Sequence, residues 1–200
     1  MKNVLVVGAD SGIGNAIHKM IPNSKGTSRR VNSEFTFLNV EEPESWPSFN
    51  EKFDEIYYCI GISGQQQNPE RVIKVNSVMT YQCLDHLSKF VVDGGTIRVM
   101  SSVIGSLTVC INLPLPSVNP YYRMSKAALN MGVVKLSHVH PTKNWQLIHP
   151  GFVDTKMTEG LVVPGMTPLT PEESASKIIN LPYVQGVSFY NVMTTSPIPW

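Results

Sequence analysis

Two side chains capable of acid–base chemistry stand four residues apart, Tyr122 and Lys126 in the run YRMSKAALNM. In a helix this spacing puts both side chains on one face. A phenol ordinarily titrates near pH ~10, and a neighbouring ammonium group favours the phenolate, so we expect Lys126 to lower the pKa of Tyr122. The pair therefore predicts a general acid or base at the start of a helix.

The elements that would position this pair alternate between strands and helices. Helices are predicted over Ile13–Ile21, Pro69–Val91 (with a bend), Pro120–Ser137 and Thr170–Leu181. Strands are predicted over Asn3–Gly8, Lys25–Ser28, Phe35–Val40, Asp54–Ile60, Gly95–Ser101, Asn144–His149 and Val187–Val192. This order predicts an α/β fold of the Rossmann type, in which a mostly parallel sheet of about seven strands carries helices on both faces.

The chain is predicted to form one doubly wound domain over residues 1–200. The segment Arg29–Glu34 is too short for a crossover helix, so the second crossover should be trimmed to a loop or a single turn. The proline-rich stretch Leu113–Pro120 is predicted to be a loop inside the domain and not a linker.

Composition excludes several classes of protein. The chain has 200 residues, of which 42% are hydrophobic and 16% charged, with a net charge of +1. These values indicate a globular chain and argue against charge-driven binding to nucleic acid or to a membrane surface. No signal peptide or transmembrane segment is visible, and Cys59, Cys83 and Cys110 lack metal-ligand spacing. We therefore expect a cytoplasmic protein with reduced thiols and no metal.

A glycine-rich turn follows the first predicted strand. Gly8, Gly12 and Gly14 form the pattern G-x-x-x-G-x-G between that strand and the first helix. Glycines permit positive φ and let the backbone approach a pyrophosphate, and the helix N-terminus supplies amide donors. A tight strand-to-helix turn would explain the glycines equally well. The position in the first βα unit favours a dinucleotide site.

Taken in order, these motifs resemble the short-chain dehydrogenase/reductase family, and in particular its small C-factor- and Sniffer-like carbonyl reductase branch. The glycine loop, Asn76 in VNS, Ser102 at the end of the fifth strand, the Y-x-x-x-K helix and PGFVDT after the sixth strand all match. The ending IPW and the run YRMSKAALNM are also typical of that branch. The resemblance extends over essentially the whole chain.

The resemblance implies a catalytic set of Asn76, Ser102, Tyr122 and Lys126. Ser102 would polarise the substrate carbonyl, Tyr122 would donate the proton, and the backbone carbonyl of Asn76 would help to hold a relay water. Tyr121 stands five residues before Lys126, which is the wrong spacing, and is expected to pack or to line the pocket. The resemblance also implies a cofactor site at Gly8, Ser11, Gly12, Ile13, Gly14, Asn39, Val40, Gly61, Tyr122, Lys126, Pro150, Gly151, Val153 and Thr155.

The turn after the second strand favours NADP over NAD. An NAD enzyme usually offers an acid to the ribose hydroxyls there, whereas this chain reads GTSRR with no acid. Ser28 and Arg29 could bind a 2′-phosphate, and Arg can do so with a forked contact. A solvated basic turn would look the same, and Asp10 nearby does not help a phosphate.

The chain departs from the family pattern at three places. The family's N-A-G after the fourth strand is here Cys59-Ile60-Gly61, and the acid that usually contacts adenine is replaced by Asn39. The gap from Ser102 to Tyr122 is longer than usual, and its prolines are expected to stiffen a loop that lines the pocket or covers an interface.

The resemblance implies an NAD(P)H-dependent oxidoreductase that acts on a small-molecule carbonyl or alcohol, as a homodimer or homotetramer. A catalytically silent nucleotide sensor of the same fold is the first alternative. A nucleotide-sugar epimerase or dehydratase is the second, although the chain has no room for the C-terminal substrate domain that such enzymes carry.

Overall fold

An eight-stranded sheet organises the part of the chain that the computed structural model describes, which is residues 2–31, 33–63, 65, 67–112, 119–163 and 165–200. The strands are β1 (Val4–Val7), β2 (Lys25–Ser28), β3 (Thr36–Phe37), β4 (Phe53–Tyr58), β5 (Val91–Met100), β6 (Asn144–His149), β7 (Val187–Asn191) and β8 (Ser196–Pro197). Their order in the sheet is β3-β2-β1-β4-β5-β6-β7-β8. The strands β1 to β7 are parallel and only β8 is antiparallel. The predicted α/β class and mostly parallel sheet are confirmed.

The helices lie on both faces of this sheet, as predicted. They are α1 (Gly12–Met20), α2 (Pro69–Ile73), α3 (Thr80–Ser88), α4 (Leu107–Asn112), α5 (Pro120–Val139) and α6 (Pro171–Ile179). Because successive strand residues point to opposite faces, Val4 and Val6 pack in the hydrophobic cluster that contains residues of α1 and α6. Leu5 and Val7 pack in the other cluster, with α3 and α5.

The predicted bend between α2 and α3 is a turn of π-helix over Lys74–Met79. Such turns insert an extra residue into the helical hydrogen-bond ladder and often occur at functional sites. The predicted helix boundary at Val91 is wrong, since α3 ends at Ser88 and Val91 already pairs with Phe53 of the neighbouring strand.

The second crossover is trimmed as predicted, since the described residues between β2 and β3 contain no helix. The third strand is shorter than the predicted Phe35–Val40. After β5, a 3-10 turn over Val103–Gly105 and α4 occupy the start of the predicted pocket loop. Most of the predicted proline-rich loop, residues 113–118, lies outside the described residues.

Within the described ranges, no helix combines the length and apolar character needed to cross a membrane. In the same part of the chain, no group of three or more His, Cys, Asp or Glu side chains is placed to hold a metal ion.

Candidate active site

The carboxyl ends of the parallel strands bring the predicted site residues to one edge of the sheet, where open α/β sheets bind ligands. The glycine loop follows β1, Arg29 follows β2, Gly61 follows β4, Ser102 follows β5, and the PGFVDT segment follows β6. The order of strands therefore gathers segments that are far apart in the sequence.

The glycine loop has the backbone geometry of a close turn. Gly8 and Gly12 have φ of 85° and 52°, in the left-handed region that favours glycine. At Gly14 a Cβ would lie 2.0 Å from the carbonyl oxygen of Gly8, so no larger residue fits there. Ser11 is the N-cap of α1, yet its exposed side chain makes no capping hydrogen bond. The hydroxyl and the first amides of α1, which begins at Gly12-Ile13, are thus available to an anion.

A cleft opens beside this loop. It contains seven of the predicted cofactor residues, and its lining is Gly8, Asp10, Ser11, Ser28, Arg29, Leu38, Asn39, Val40, Glu41, Cys59, Ile60, Gly61, Ile62 and Val75. Ile60 stands where the family has a smaller residue, and its Cγ1 would be 3.3 Å from a Cβ at Gly8. The bulkier residue therefore packs directly against the glycine loop.

The charges around the cleft are mostly paired. Arg30 contacts Asp10 at 3.1 Å, and Arg71 of α2 donates to both carboxylate oxygens of Glu41, at 3.0 and 2.7 Å. The hydrogen bond from Arg71 is the main reason why the pKa of Glu41 is lowered. Arg29 lines the cleft and forms no ion pair with a described residue. It is therefore the basic side chain best placed for an anionic ligand.

Asn39 and Ser28 are already engaged in local bonds. The Asn39 side chain accepts from the amide of Glu41 at 3.1 Å and donates to the carboxylate of Glu42 at 2.8 Å. Ser28 is buried, and its oxygen accepts from the amide of Arg30 at 2.9 Å. Both residues line the cleft, but Asn39 would have to exchange partners to bond an adenine ring.

The segment after β6 closes the other side of the glycine loop. Gly151 has a φ of 89°, and Pro150 accepts a hydrogen bond from Ser174 of α6 at 2.8 Å. Val153 is buried and forms a bridge to Leu169. The Cγ2 of Thr155 would lie 3.4 Å from a Cβ at Gly12, so the threonine faces the start of α1.

Tyr122 and Lys126 lie on one face of α5, as predicted. The helix begins at Pro120 behind its N-cap Asn119. Lys126 is only 4% exposed, its Nζ donates to the carbonyl oxygen of Met100 at 3.0 Å, and it lies 5.7 Å from the centre of the Tyr122 ring. The ammonium group is thus fixed between α5 and the end of β5.

The net shift of the Tyr122 pKa is opposite to the lowering that was expected, and its cause is burial and not Lys126. Burial raises the pKa of Tyr122 to about 12, and no charge or hydrogen bond among the described residues opposes it. Burial also lowers the pKa of Lys126 to about 8. Removal from water disfavours the phenolate of Tyr122 and the ammonium of Lys126 alike. The ammonium lies over the Tyr122 ring and bonds the carbonyl of Met100.

The two serines at the end of β5 have different surroundings. Ser101 is buried, and its hydroxyl donates to Oδ1 of Asn130 at 2.6 Å. Ser102 is partly exposed and precedes the 3-10 turn, but its hydroxyl makes no capping bond. Ser102 is therefore the serine with a hydroxyl available to a substrate.

Asn76 uses its side chain to brace the site. Its Oδ1 accepts from the amide of Ile62 at 2.8 Å, and its Nδ2 donates to the carbonyl of Ile62 at 2.9 Å and to Ser125 at 3.1 Å. Ser125 donates in turn to the carbonyl of Tyr122 at 2.8 Å. This buried amide joins the π-helical turn, the segment after β4 and α5.

Sequence reasoning missed three residues that contact this group. They are Ser125, Asn130, and Met157, whose Cε would lie 3.9 Å from a Cβ at Gly61. For Asn130 a signal was available, because it continues the four-residue spacing of Tyr122 and Lys126 along the helix. Nothing in the sequence indicates its partners.

Comparison with known proteins identifies the class of fold. No protein-family model matches the chain, and no curated protein sequence does either. Solved structures match over its full length. A carbonyl reductase from Pseudomonas aeruginosa is 24% identical, with a TM-score of 0.78 and 100% of both chains covered. The NADPH-bound carbonyl reductase from chicken fatty liver is 18% identical, with a TM-score of 0.82, covering 100% of this chain and 99% of that one.

The Drosophila melanogaster carbonyl reductase Sniffer is 18% identical, with a TM-score of 0.79 and 100% of both chains covered. The chain therefore has the fold of the short-chain dehydrogenases/reductases. The resemblance predicted from its motifs is confirmed at the level of that fold, and the structures that share the fold include carbonyl reductases.

Proposed function

We propose that the protein is an NADPH-dependent carbonyl reductase or alcohol dehydrogenase. The observation that carries this proposal is the position of Lys126, a buried cation beside the Tyr122 ring, at the sheet edge that also holds the glycine loop. A buried lysine beside a tyrosine and an available serine hydroxyl is an arrangement suited to proton transfer.

The residues at this edge fit a nicotinamide dinucleotide. The backbone around Gly14 leaves no space for a side chain, and Ser11 adds an unused hydroxyl at the start of α1, so this loop would hold the pyrophosphate. Arg29 would bind a 2′-phosphate, which favours NADP over NAD. Lys126 would bond the ribose, and Thr155 would contact the carboxamide. The carbonyl reductase from chicken fatty liver binds NADPH and one from Pseudomonas aeruginosa forms a complex with NADP, which supports the same choice.

The bound cofactor would supply the hydride, and the chain's own residues would manage charge and protons. Ser102 and Tyr122 would donate hydrogen bonds to the substrate oxygen as negative charge develops there. The raised pKa of Tyr122 keeps its phenol protonated at neutral pH, so that it can donate. Lys126 carries its charge below about pH 8 and would stabilise the phenolate that remains after the proton has left.

A turnover assay with a matched pair of tyrosine variants tests the proposal. Oxidation of NADPH is followed with a panel of aldehydes, ketones and quinones. We expect Tyr122→Phe to lower kcat by roughly 10²–10⁴, the usual contribution of a positioned acid. Tyr121→Phe, the control at the neighbouring residue with 41% exposure, should keep kcat within about twofold.

Two results would contradict the proposal. Retention of full turnover by Tyr122→Phe would exclude Tyr122 as the acid. Binding of NADPH with no turnover of any carbonyl by the wild-type protein would instead support the nucleotide sensor.

We also infer that the protein forms a homo-oligomer. Val78, Met124 and Met131 leave apolar surface exposed on the helical elements that follow β4 and β5, and Met131 is 69% exposed. Exposed apolar patches often mark protein interfaces. Light scattering should report a dimer or tetramer, and Met131→Glu should shift it towards the monomer.

The thiols favour a reducing compartment. Cys59, Cys83 and Cys110 are all free, and burial raises the pKa of Cys59 and Cys83 to about 12. Thiols of this kind are unreactive and typical of cytoplasmic proteins. We therefore place the protein in the cytoplasm as part of this proposal.

A further inference from the structure

The amide of Asn130 bonds the chain on both sides of Ser102. Asn130 follows Lys126 by four residues and Tyr122 by eight, so the three side chains lie along one face of α5. Its Oδ1 accepts from the hydroxyl of Ser101 at 2.6 Å, and its Nδ2 donates to the carbonyl of Gly105 at 3.2 Å. Asn130 is only 4% exposed.

The segment that carries Ser102 also contacts α5 through its backbone. A Cβ at Gly105 would lie 2.9 Å from the carbonyl carbon of Lys126 and 3.0 Å from Nδ2 of Asn130. Lys126 bonds the carbonyl of Met100, just before the serine pair. The chain from Met100 to Gly105 is therefore attached to the catalytic helix at three points, with Ser102 between them.

We propose that Asn130 is a positioning residue that fixes the Ser102 hydroxyl relative to the phenol of Tyr122. The inference rests on the proposed function, in which these two groups bond the same substrate oxygen. Donors at such an oxygen act over a narrow range of distance, and a displacement of 1 Å can cost about 10²-fold in rate. Loss of the Asn130 amide would remove both of its bonds to the segment around Ser102, so the Ser102 hydroxyl would remain chemically intact but could move relative to Tyr122.

A double-mutant cycle tests whether Asn130 acts through Ser102. The variants Asn130→Ala, Ser102→Ala and the double variant are compared by kcat on the carbonyl that the wild-type protein reduces fastest. We expect roughly a tenfold loss for Asn130→Ala alone. In the Ser102→Ala background the same change should cost less than about twofold, because the hydroxyl that it positions is already absent.

Gln146→Ala provides a matched control for the loss of a buried amide. Gln146 is 2% exposed, and its Nε2 donates to the carbonyl of Pro182 at 3.0 Å, away from the candidate site. We expect this variant to be less stable but to keep kcat within about twofold. The affinity for NADPH, measured by fluorescence, should be the same in Asn130→Ala as in the wild-type protein.

Two kinetic results would overturn the proposal. One is a loss from Asn130→Ala that is equal with and without the Ser102 hydroxyl. The other is a wild-type kcat in Asn130→Ala. If Asn130→Ala does not fold, Ser101→Ala can replace it, because it removes only one of the two bonds. We expect Ser101→Ala to lower kcat about two- to fivefold when Ser102 is present and to have no effect in the Ser102→Ala background.

Hydrogen exchange gives a readout that does not depend on turnover. The amide of Gly105 donates to the carbonyl of Ser102 at 2.9 Å. In Asn130→Ala, or in Ser101→Ala if the first variant does not fold, this amide should exchange at least about tenfold faster while the amides of β6 keep their protection. Unchanged protection at Gly105 would overturn the proposal. If the wild-type protein reduces no carbonyl, the proposed function is overturned instead. The exchange rate of the Gly105 amide would still show whether Asn130 holds the segment from Met100 to Gly105.

Discussion

Two buried cations lie beside tyrosine rings, and their surroundings differ. Within the sheet, Arg98 of β5 is fully buried and donates to the carbonyls of Ile178, in α6, and of Leu181, just after it. Its guanidinium lies 5.5 Å and 5.0 Å from the ring centres of Tyr57 and Tyr183. At the carboxyl-terminal end, Lys126 has one carbonyl partner and a pKa lowered to about 8.

The two tyrosines, Tyr57 and Tyr122, also differ in the hydrogen-bond partners of their phenols. Tyr57 donates to the carboxylate of Glu55 at 2.8 Å, and Glu55 also accepts from Lys2 at 2.7 Å. The phenol of Tyr122 is held by no such acceptor among the described residues, and burial alone raises its pKa. A buried cation and a tyrosine stabilise the fold where the cation bonds two carbonyls and the phenol bonds a carboxylate, as at Arg98 and Tyr57, although Nε of Arg98 has no hydrogen-bond partner among the described residues. They are available for chemistry where the phenol has no acceptor, as at Tyr122.

Replacing each cation in turn tests whether Lys126 serves chemistry and Arg98 serves stability. Lys126→Met should lower kcat roughly 10²-fold or more, because the phenolate loses its counter-charge. Its free energy of unfolding should change by less than about 1 kcal/mol, since relief of a desolvated charge offsets the lost bond to Met100.

Arg98→Met should lower the stability of the fold and leave kcat nearly unchanged. The carbonyl of Leu181 would lose its side-chain donor and that of Ile178 would keep only backbone amide donors, so the free energy of unfolding should fall by about 2–4 kcal/mol. The folded fraction should keep kcat within about twofold. Denaturant unfolding and turnover, measured on both variants, check this pair, and a large loss of kcat in folded Arg98→Met would refute the distinction.

Two basic residues at opposite ends of β2 allow a controlled test of the preference for NADPH over NADH. Arg29→Asp, at the carboxyl end, should lower the ratio of kcat/KM for NADPH over NADH by about 10–100-fold, because a charged contact to the 2′-phosphate becomes a repulsion. Lys25→Asp carries the same charge change at the amino end, where Lys25 pairs with Glu51, and should leave the ratio unchanged. An equal effect from both variants would point to general electrostatics.

The lowered pKa of Lys126 predicts a pH dependence at the carboxyl-terminal end. Lys126 is charged below about pH 8 and becomes neutral above it, so kcat/KM for reduction should fall roughly tenfold per pH unit above that value. His149 cannot produce this change, because burial lowers its pKa to about 4. In Lys126→Arg the charge persists and the alkaline decline should disappear, even if the rate is lower. A decline that remains in Lys126→Arg must come from another group.

The smallest expected effect is at Tyr57, beside Arg98. Tyr57→Phe removes one hydrogen bond to Glu55, which keeps its bond to Lys2, and should cost about 1 kcal/mol of unfolding free energy. Thermal unfolding checks the cost, and kcat should match that of the wild-type protein. A loss of turnover larger than about threefold would show that the surroundings of Arg98 are coupled to the candidate active site.

Much of the fold could be predicted because its signals are local. The apolar run before Gly8, the glycines after it and the Thr-Pro-Glu-Glu start of α6 each act within a few residues. In the structure Thr170 is the N-cap of α6, with Pro171 at the first position, and it forms a capping box with Glu173. The end of α3 was placed wrongly because Val91 joins the sheet through its pairing with Phe53, a contact that the local sequence does not contain.

Local sequence signals predicted most of the strands and helices, though not α4 and β8, as well as the shared helix face of Tyr122 and Lys126 and the glycine turn before α1, since each depends on neighbouring residues and on the periods of helix and strand. Only the tertiary structure decided the protonation of that pair, because a pKa depends on burial by residues distant in the chain. It also decided which serine is available and gave Asn130 its partners, because the folding of β5 against α5 brings residues 101, 105 and 130 together.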